Sequence, residues 1–121
     1  MNSKKDFPGE INSCPVSYAL KLIGGKWQLP IIWALSKNRT LRYNELKRNV
    51  AGITNMMLTH SLKDLETNGL INRVQYMEIP PRVEYSLTDA AMSLLPALDA
   101  LARWGAEQMK KHDNWSGIHS R

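Results

Sequence analysis

The sequence predicts a mainly α-helical domain that carries one small β-hairpin. Three observations support this fold class. Apolar residues recur at three- and four-residue spacing in successive segments, the period of helices with one buried face. Val83, Tyr85 and Leu87 alternate with Arg82, Glu84 and Ser86, the period of a half-buried strand. Just before them lies Glu78-Ile79-Pro80-Pro81, which is too stiff for a helix and cannot donate ladder hydrogen bonds at its prolines, so it marks a hairpin tip.

Residues 1–12 read as a flexible arm. A helix follows Cys14, because Pro15 suits the first helical position, where its missing N–H costs nothing. Val16, Ala19, Leu20 and Ile23 form its apolar stripe, and Gly24-Gly25 is expected to end it in a left-handed C-terminal turn. The next helix is KWQLPIIWALSKN, with Trp27, Ile31, Ile32 and Leu35 inward. Pro30 is tolerated only if that helix starts near Trp27, so that few backbone bonds are lost. Thr40-Leu41-Arg42 is extended. Asn44 is expected to cap ELKRNV, which turns Leu46 and Val50 inward. Ala51-Gly52-Ile53 is a tight connection, after which Thr54 caps a long helix. That helix ends at Asn68-Gly69, with Leu70 placed to meet Leu65 in a Schellman motif. INRVQYM, with Val74 and Tyr76, forms the first strand of the hairpin. Thr88-Asp89 caps a last helix that is expected to reach about Lys111 and to kink at Pro96. The expected organisation is therefore one domain over 13–112, then a polar tail over 113–121. A helix, tight turn and helix followed at once by a two-stranded hairpin is the winged helix-turn-helix arrangement.

Bulk composition narrows the function. At 121 residues the chain reads as one small domain, which gains from a partner subunit because its own core is limited. Apolar content of 43% and charged content of 22% are ordinary for a globular protein. No apolar run spans a membrane, and MNSKKDFPGE lacks the apolar stretch of a secretory leader, so a cytoplasmic location is expected. The single cysteine, Cys14, excludes an intramolecular disulfide and a cysteine-based zinc site. His60, His112 and His119 have no ligand spacing, so neither metal nor cofactor is expected. No Ser-His-Asp order, glycine-rich phosphate loop or set of paired carboxylates can be read, so no catalytic residue is assigned and an enzyme is not expected. Residues 1–82 hold 12 Lys and Arg against 6 Asp and Glu, whereas residues 83–121 carry a net −1. Lys37, Arg39, Arg42, Lys47 and Arg48 stand against Glu45 alone. A localised basic patch suits a polyanion, although charge alone leaves open a merely solvated surface.

The helix in GITNMMLTHSLKDLETNGLI has two working faces. With Leu58 at zero and about 100° per residue, Leu62 and Leu65 fall close by as a core stripe, with Met57 on its flank. Thr59, Lys63, Met56 and His60 lie opposite, and Asn55 sits at the first turn. Asn and His can exchange hydrogen bonds with base edges, Thr offers a hydroxyl and a methyl, and Met can lie on a thymine methyl. Lys63 can reach a phosphate or a guanine. The acids Asp64 and Glu66 come late, which leaves a helix N-terminus favourable to phosphate. An exposed helix with ordinary polar residues is the alternative. Context favours double-stranded DNA: Arg42, Tyr43, Asn44, Lys47 and Arg48 can grip backbone phosphates, and the hairpin carries Arg73 and Arg82. For Arg82 the alternative is an ion pair with Glu78 or Glu84.

Three segments together resemble the HxlR-type transcriptional regulators, bacterial winged-helix proteins related to the MarR group. They are CPVSYALKLIGGKW, LRYNELKRNVAGITNMMLTHSLKDLETNGLI and PPRVEYSLTDAAMSLLPALDALARWG, and the likeness runs from Cys14 to Gly105. The specificity lies in the combination of Cys-Pro, Gly-Gly-Lys-Trp, Pro-Pro-Arg-Val-Glu-Tyr-Ser-Leu-Thr and a late Trp-Gly. Pro30 departs from the leucine of that pattern. The resemblance implies a homodimer on a pseudo-palindromic operator near a promoter, with Thr54 to Lys63 as recognition helix and the hairpin as wing. It implies a repressor or activator, often of detoxification or redox genes.

The last helix is apolar on more than one face, with Leu94, Leu98, Leu101, Trp104 and Gly105 among its small and apolar residues. A helix apolar nearly all round must be buried on several sides, so a dimer interface is expected; a wholly intramolecular core is the alternative. Two-fold symmetry would set two recognition helices about 34–36 Å apart. Cys14 occupies the N-terminal cysteine position that senses oxidants or electrophiles in several HxlR-type members. A thiol at a helix N-terminus, with Lys21 and Lys26 not far off in sequence, suits a lowered pKa; an inert structural cysteine is the alternative. The other functional readings are a constitutive or small-ligand-responsive regulator and a winged-helix protein-interaction module.

Overall fold

The computed structural model describes residues 14–119. The arm expected at 1–12 lies outside the described residues. The elements are α1 (Pro15–Ile23), α2 (Gln28–Ser36), β1 (Leu41–Arg42), α3 (Tyr43–Asn49), α4 (Asn55–Thr67), β2 (Ile71–Tyr76), β3 (Arg82–Leu87) and α5 (Asp89–His119). The strands form one antiparallel sheet in the order β1-β3-β2. The hairpin expected from period-two alternation is thus joined by a third strand, with Leu41 opposite Tyr85 and Arg42 opposite Glu84.

The core is made where α2, α3 and α4 meet over the sheet. Ile31, Ile32, Leu35, Leu46, Leu58 and Leu65 are its largest fully buried side chains. Trp27, expected inside, is only half-buried because it stands outside the first turn as the N-cap of α2. Pro30 falls at the third residue of α2, early enough that its missing N–H breaks no interior bond.

Local chemistry sets the boundaries of α4. Thr54 Oγ1 accepts from the Met57 N–H at 3.2 Å. At the other end Gly69 adopts φ +74, the Leu70 N–H reaches the Leu65 carbonyl at 2.9 Å and the Gly69 N–H reaches Glu66 at 3.0 Å. These are the two bonds of a Schellman motif, and both Leu65 and Leu70 are buried. The chain then enters β2 directly, so the turn that stops the helix also aims the wing. Thr88 locks the base of the wing, donating from Oγ1 to the Gly69 carbonyl at 2.7 Å and capping α5 through the Ala91 N–H at 3.2 Å.

Three boundaries differ from expectation. Gly24 ends α1 at φ −86, right-handed, with its N–H on the Leu20 carbonyl, so no left-handed turn is used. Asn44 does not cap α3. The cap is Arg42, whose backbone N–H donates to Glu45 Oε1 at 2.8 Å, because pairing of β1 with β3 holds Arg42 extended immediately before the helix. Glu45 supplies this carboxylate half of a capping box, and the donor-only Arg42 side chain cannot supply the other half. Finally, α5 does not stop near Lys111 but runs to His119, through most of the segment expected as a tail.

Candidate nucleic-acid interface

The inner side of α4 is anchored by Leu58, Leu62 and Leu65, together with Ser61, which is buried although polar. That anchoring leaves Asn55, Met56, Thr59, His60 and Lys63 on one exposed face, around a shared shallow depression. Met56 is 81% exposed, an unfavourable position for a long apolar side chain in water. Met57, expected on the flank of the core stripe, is 42% exposed, about half as much as Met56. No acid lies in the first turn of α4, so its free N–H groups and dipole face outward unopposed. His60 Nε2 lies 3.4 Å from Asp64 Oδ2, one turn along the same face. Lys63 pairs with no carboxylate among the described residues.

A cleft of about 310 Å³ separates this face from the sheet, lined by Tyr43, Thr59, Leu62, Lys63, Arg73 and Tyr85 together with Glu66. It brings Arg73 of β2 to the same opening as Lys63 of α4. Arg42, Asn44 and Arg48 are exposed on β1 and α3, and Lys47 is half-buried. Lys37, counted with the basic segment, lies over the Trp33 ring at 4.0 Å from its centroid, a cation–π contact.

Two residues expected to contact phosphate have partners within the protein. Tyr43 is a brace between α3 and α4: its hydroxyl lies 2.9 Å from the Asn55 carbonyl oxygen and 3.0 Å from Thr59 Oγ1. Arg82 is held inside the wing. Its guanidinium donates to both Glu78 oxygens at 2.8 and 2.9 Å, its Nε lies 3.0 Å from Glu84 without an aligned hydrogen bond, and it stacks on Tyr76 at 4.1 Å. Both carboxylates named as alternative partners are therefore used at once. The aromatic contact follows from the register, which sets Tyr76 opposite Arg82.

Away from this face, the apolar residues of α5 divide. Leu98 is buried and Leu94 half-buried against the domain's own core. Leu101 is 50% and Trp104 61% exposed, Met109 is exposed, and Gly105 is half-buried. On α1, which buries no residue, Val16, Tyr18 and Leu20 are exposed as well. Cys14 is the exposed N-cap residue of α1. The backbone N–H groups of Ser17 and then Val16 lower its thiol below the ordinary cysteine value.

Among the described residues no helix is long and apolar enough to cross a membrane, and no cluster of His, Cys, Asp or Glu could hold a metal. The HxlR-like helix-turn-helix family matches residues 22–113. An uncharacterized HTH-type transcriptional regulator of Halalkalibacterium halodurans is 47% identical over 80% of this chain and 86% of its own. A solved structure from Porphyromonas gingivalis W83, described as a MarR-family transcriptional regulator, is 46% identical. It superposes with a TM-score of 0.74 over 79% of this chain and 93% of that one. The redox regulator HypR in its oxidized form is 38% identical, with a TM-score of 0.72 over 78% of this chain and 96% of that one. The first two of these relatives are named as regulators of transcription and the third as a redox regulator. On the match across most of its length, the chain belongs to the HxlR-like helix-turn-helix family, with the winged-helix fold of its MarR-like relatives.

Proposed function

We propose that the protein regulates transcription as a repressor or activator, binding a pseudo-palindromic operator in double-stranded DNA as a homodimer. The outer face of α4 enters the major groove, and β2, β3 and their connection lie along the neighbouring backbone. The observation that carries this reading is the grouping of Asn55, Met56, Thr59, His60 and Lys63 on the exposed face of one rigid helix with an acid-free N-terminus. Arg42, Lys47 and Arg73 supply phosphate contacts from the flanks, with Thr54 and Asn44 close to the helix ends. Tyr43 and Arg82 act indirectly, the first by bracing α4 and the second by stiffening the wing.

The homodimer reading rests on Leu101, Trp104 and Met109 of α5 and Val16, Tyr18 and Leu20 of α1, an apolar set too large to leave in water. Footprinting on DNA upstream of the gene tests both parts. The expected result is two protected half-sites about 34–36 Å apart centre to centre. A single half-site, or no protected stretch, contradicts the proposal.

A redox or electrophile response is the regulatory part of the proposal. A redox regulator is among the structural relatives, and Cys14 is exposed with a lowered thiol pKa. A lowered pKa means a larger thiolate fraction at neutral pH. Alkylation by iodoacetamide is therefore expected to reach half its maximal rate at a lower pH than for free cysteine. Oxidant is expected to change DNA affinity in the wild type and not in Cys14→Ser; equal responses would remove the sensor role.

A further inference from the structure

Tyr43 controls the direction in which Thr59 can hydrogen-bond. A phenol carries one proton, and a carbonyl oxygen can only accept. The Asn55 carbonyl, 2.9 Å from Tyr43 Oη, must therefore receive the Tyr43 proton. The Asn55 Oδ1 atom at 3.4 Å does not alter this, since it too can only accept. The 3.0 Å contact with Thr59 is then satisfied in one way, with Thr59 Oγ1 donating to Tyr43. The reverse assignment would leave two oxygens facing each other at 2.9 Å with no proton between them.

Thr59 thus directs its only hydroxyl proton back toward α3. What remains is acceptor capacity and a methyl group, on an exposed residue flanked by the depression shared with Asn55, Met56, His60 and Lys63. We infer that Tyr43 is a positioning residue that makes Thr59 an acceptor toward base edges. The base facing Thr59 on the contacted strand must then offer an amine, as adenine N6 or cytosine N4 does, whereas guanine O6 and thymine O4 are disfavoured. The inference rests on the proposal that α4 reads bases, and it adds which half of the donor–acceptor code Thr59 reads.

The test is selection from a random duplex library by the full-length wild type, Tyr43→Phe and Thr59→Val. The wild type is expected to enrich adenine or cytosine at one position of each half-site. Tyr43→Phe frees the Thr59 proton, so guanine and thymine become acceptable there, the preference falling roughly tenfold while other positions are unchanged. Thr59→Val removes the acceptor and relaxes the same position. It leaves Tyr43 in place, and so carries the test if Tyr43→Phe loses its helical circular dichroism. A duplex in which a selected adenine is replaced by purine lacking the N6 amine is expected to weaken binding by the wild type but not by Thr59→Val. Unchanged preferences in both variants, or a uniform loss of affinity at every position in Tyr43→Phe, overturns the inference. Failure of the wild type to enrich any sequence overturns the base-reading proposal itself, and the inference with it.

Discussion

Lys63 on the outer face of α4 and Arg82 at the start of β3 are both cations, and their surroundings differ completely. Lys63 projects from a helix whose inner face is sealed into the core, and it pairs with no carboxylate among the described residues. Arg82 lies between Glu78 and Glu84 and against Tyr76, and its side chain is only 24% exposed. Two carboxylates already outweigh its charge. To meet a phosphate, Arg82 would have to give up contacts that hold the wing together, whereas Lys63 gives up only water. A count of basic residues treats the two alike. Their existing partners differ: Arg82 is held by the wing's own carboxylates, and Lys63 is left available to a polyanion.

The strongest way to break this comparison is to remove what holds α4 rigid. Leu58 is fully buried at the centre of its inner stripe. Leu58→Ala is expected to cost about 2–5 kcal/mol, read as a lowered urea midpoint. A loss near zero would mean that the outer face does not depend on this packing. The link between the two regions is tested next. Gly69 takes φ +74 where α4 stops and β2 begins. Gly69→Ala is expected to destabilise by about 1–2 kcal/mol, because a Cβ disfavours the left-handed conformation even though no atom crowds that site. An unchanged thermal midpoint would contradict the role given to this turn.

The smallest expected effect is at Arg82. Its pair with Glu78, whose carboxylate side is about half exposed, is worth about 0.2–1 kcal/mol, so Arg82→Ala is expected to loosen the wing while lowering global stability by less than Gly69→Ala does. It is expected to leave the salt dependence of DNA binding unchanged, since no phosphate contact is lost. A shallower salt slope in Arg82→Ala would instead place this guanidinium on the DNA backbone and erase the difference from Lys63.

The parts of the fold that were legible in the sequence are those determined within about one helical turn. Thr54 caps α4 through a residue three positions on, and Asn68-Gly69-Leu70 closes a Schellman motif by local bonds. The stripe of Leu58, Leu62 and Leu65 follows from helical period alone. What stayed hidden depends on partners distant in the chain. Arg42 rather than Asn44 precedes α3 because Leu41 and Arg42 pair with Tyr85 and Glu84, which nothing near Leu41 announces. The bracing role of Tyr43 was not visible either, because its bond to Thr59 spans sixteen positions. Period also could not separate Leu98, which is buried, from Leu101, which faces solvent, on a helix apolar nearly all round. The candidate face of α4 could be read because its residues share one helix. The division of labour between Lys63 and Arg82 could only be weighed, because it depends on how the wing folds back on itself.

The most direct test of the central claim, that the outer face of α4 meets DNA, is a salt titration of binding to a selected operator by the wild type and Lys63→Ala. Affinity of the wild type is expected to fall steeply with salt, and Lys63→Ala is expected to bind more weakly with a slope shallower by about 0.9. Identical affinities and identical slopes in the two proteins would contradict the account.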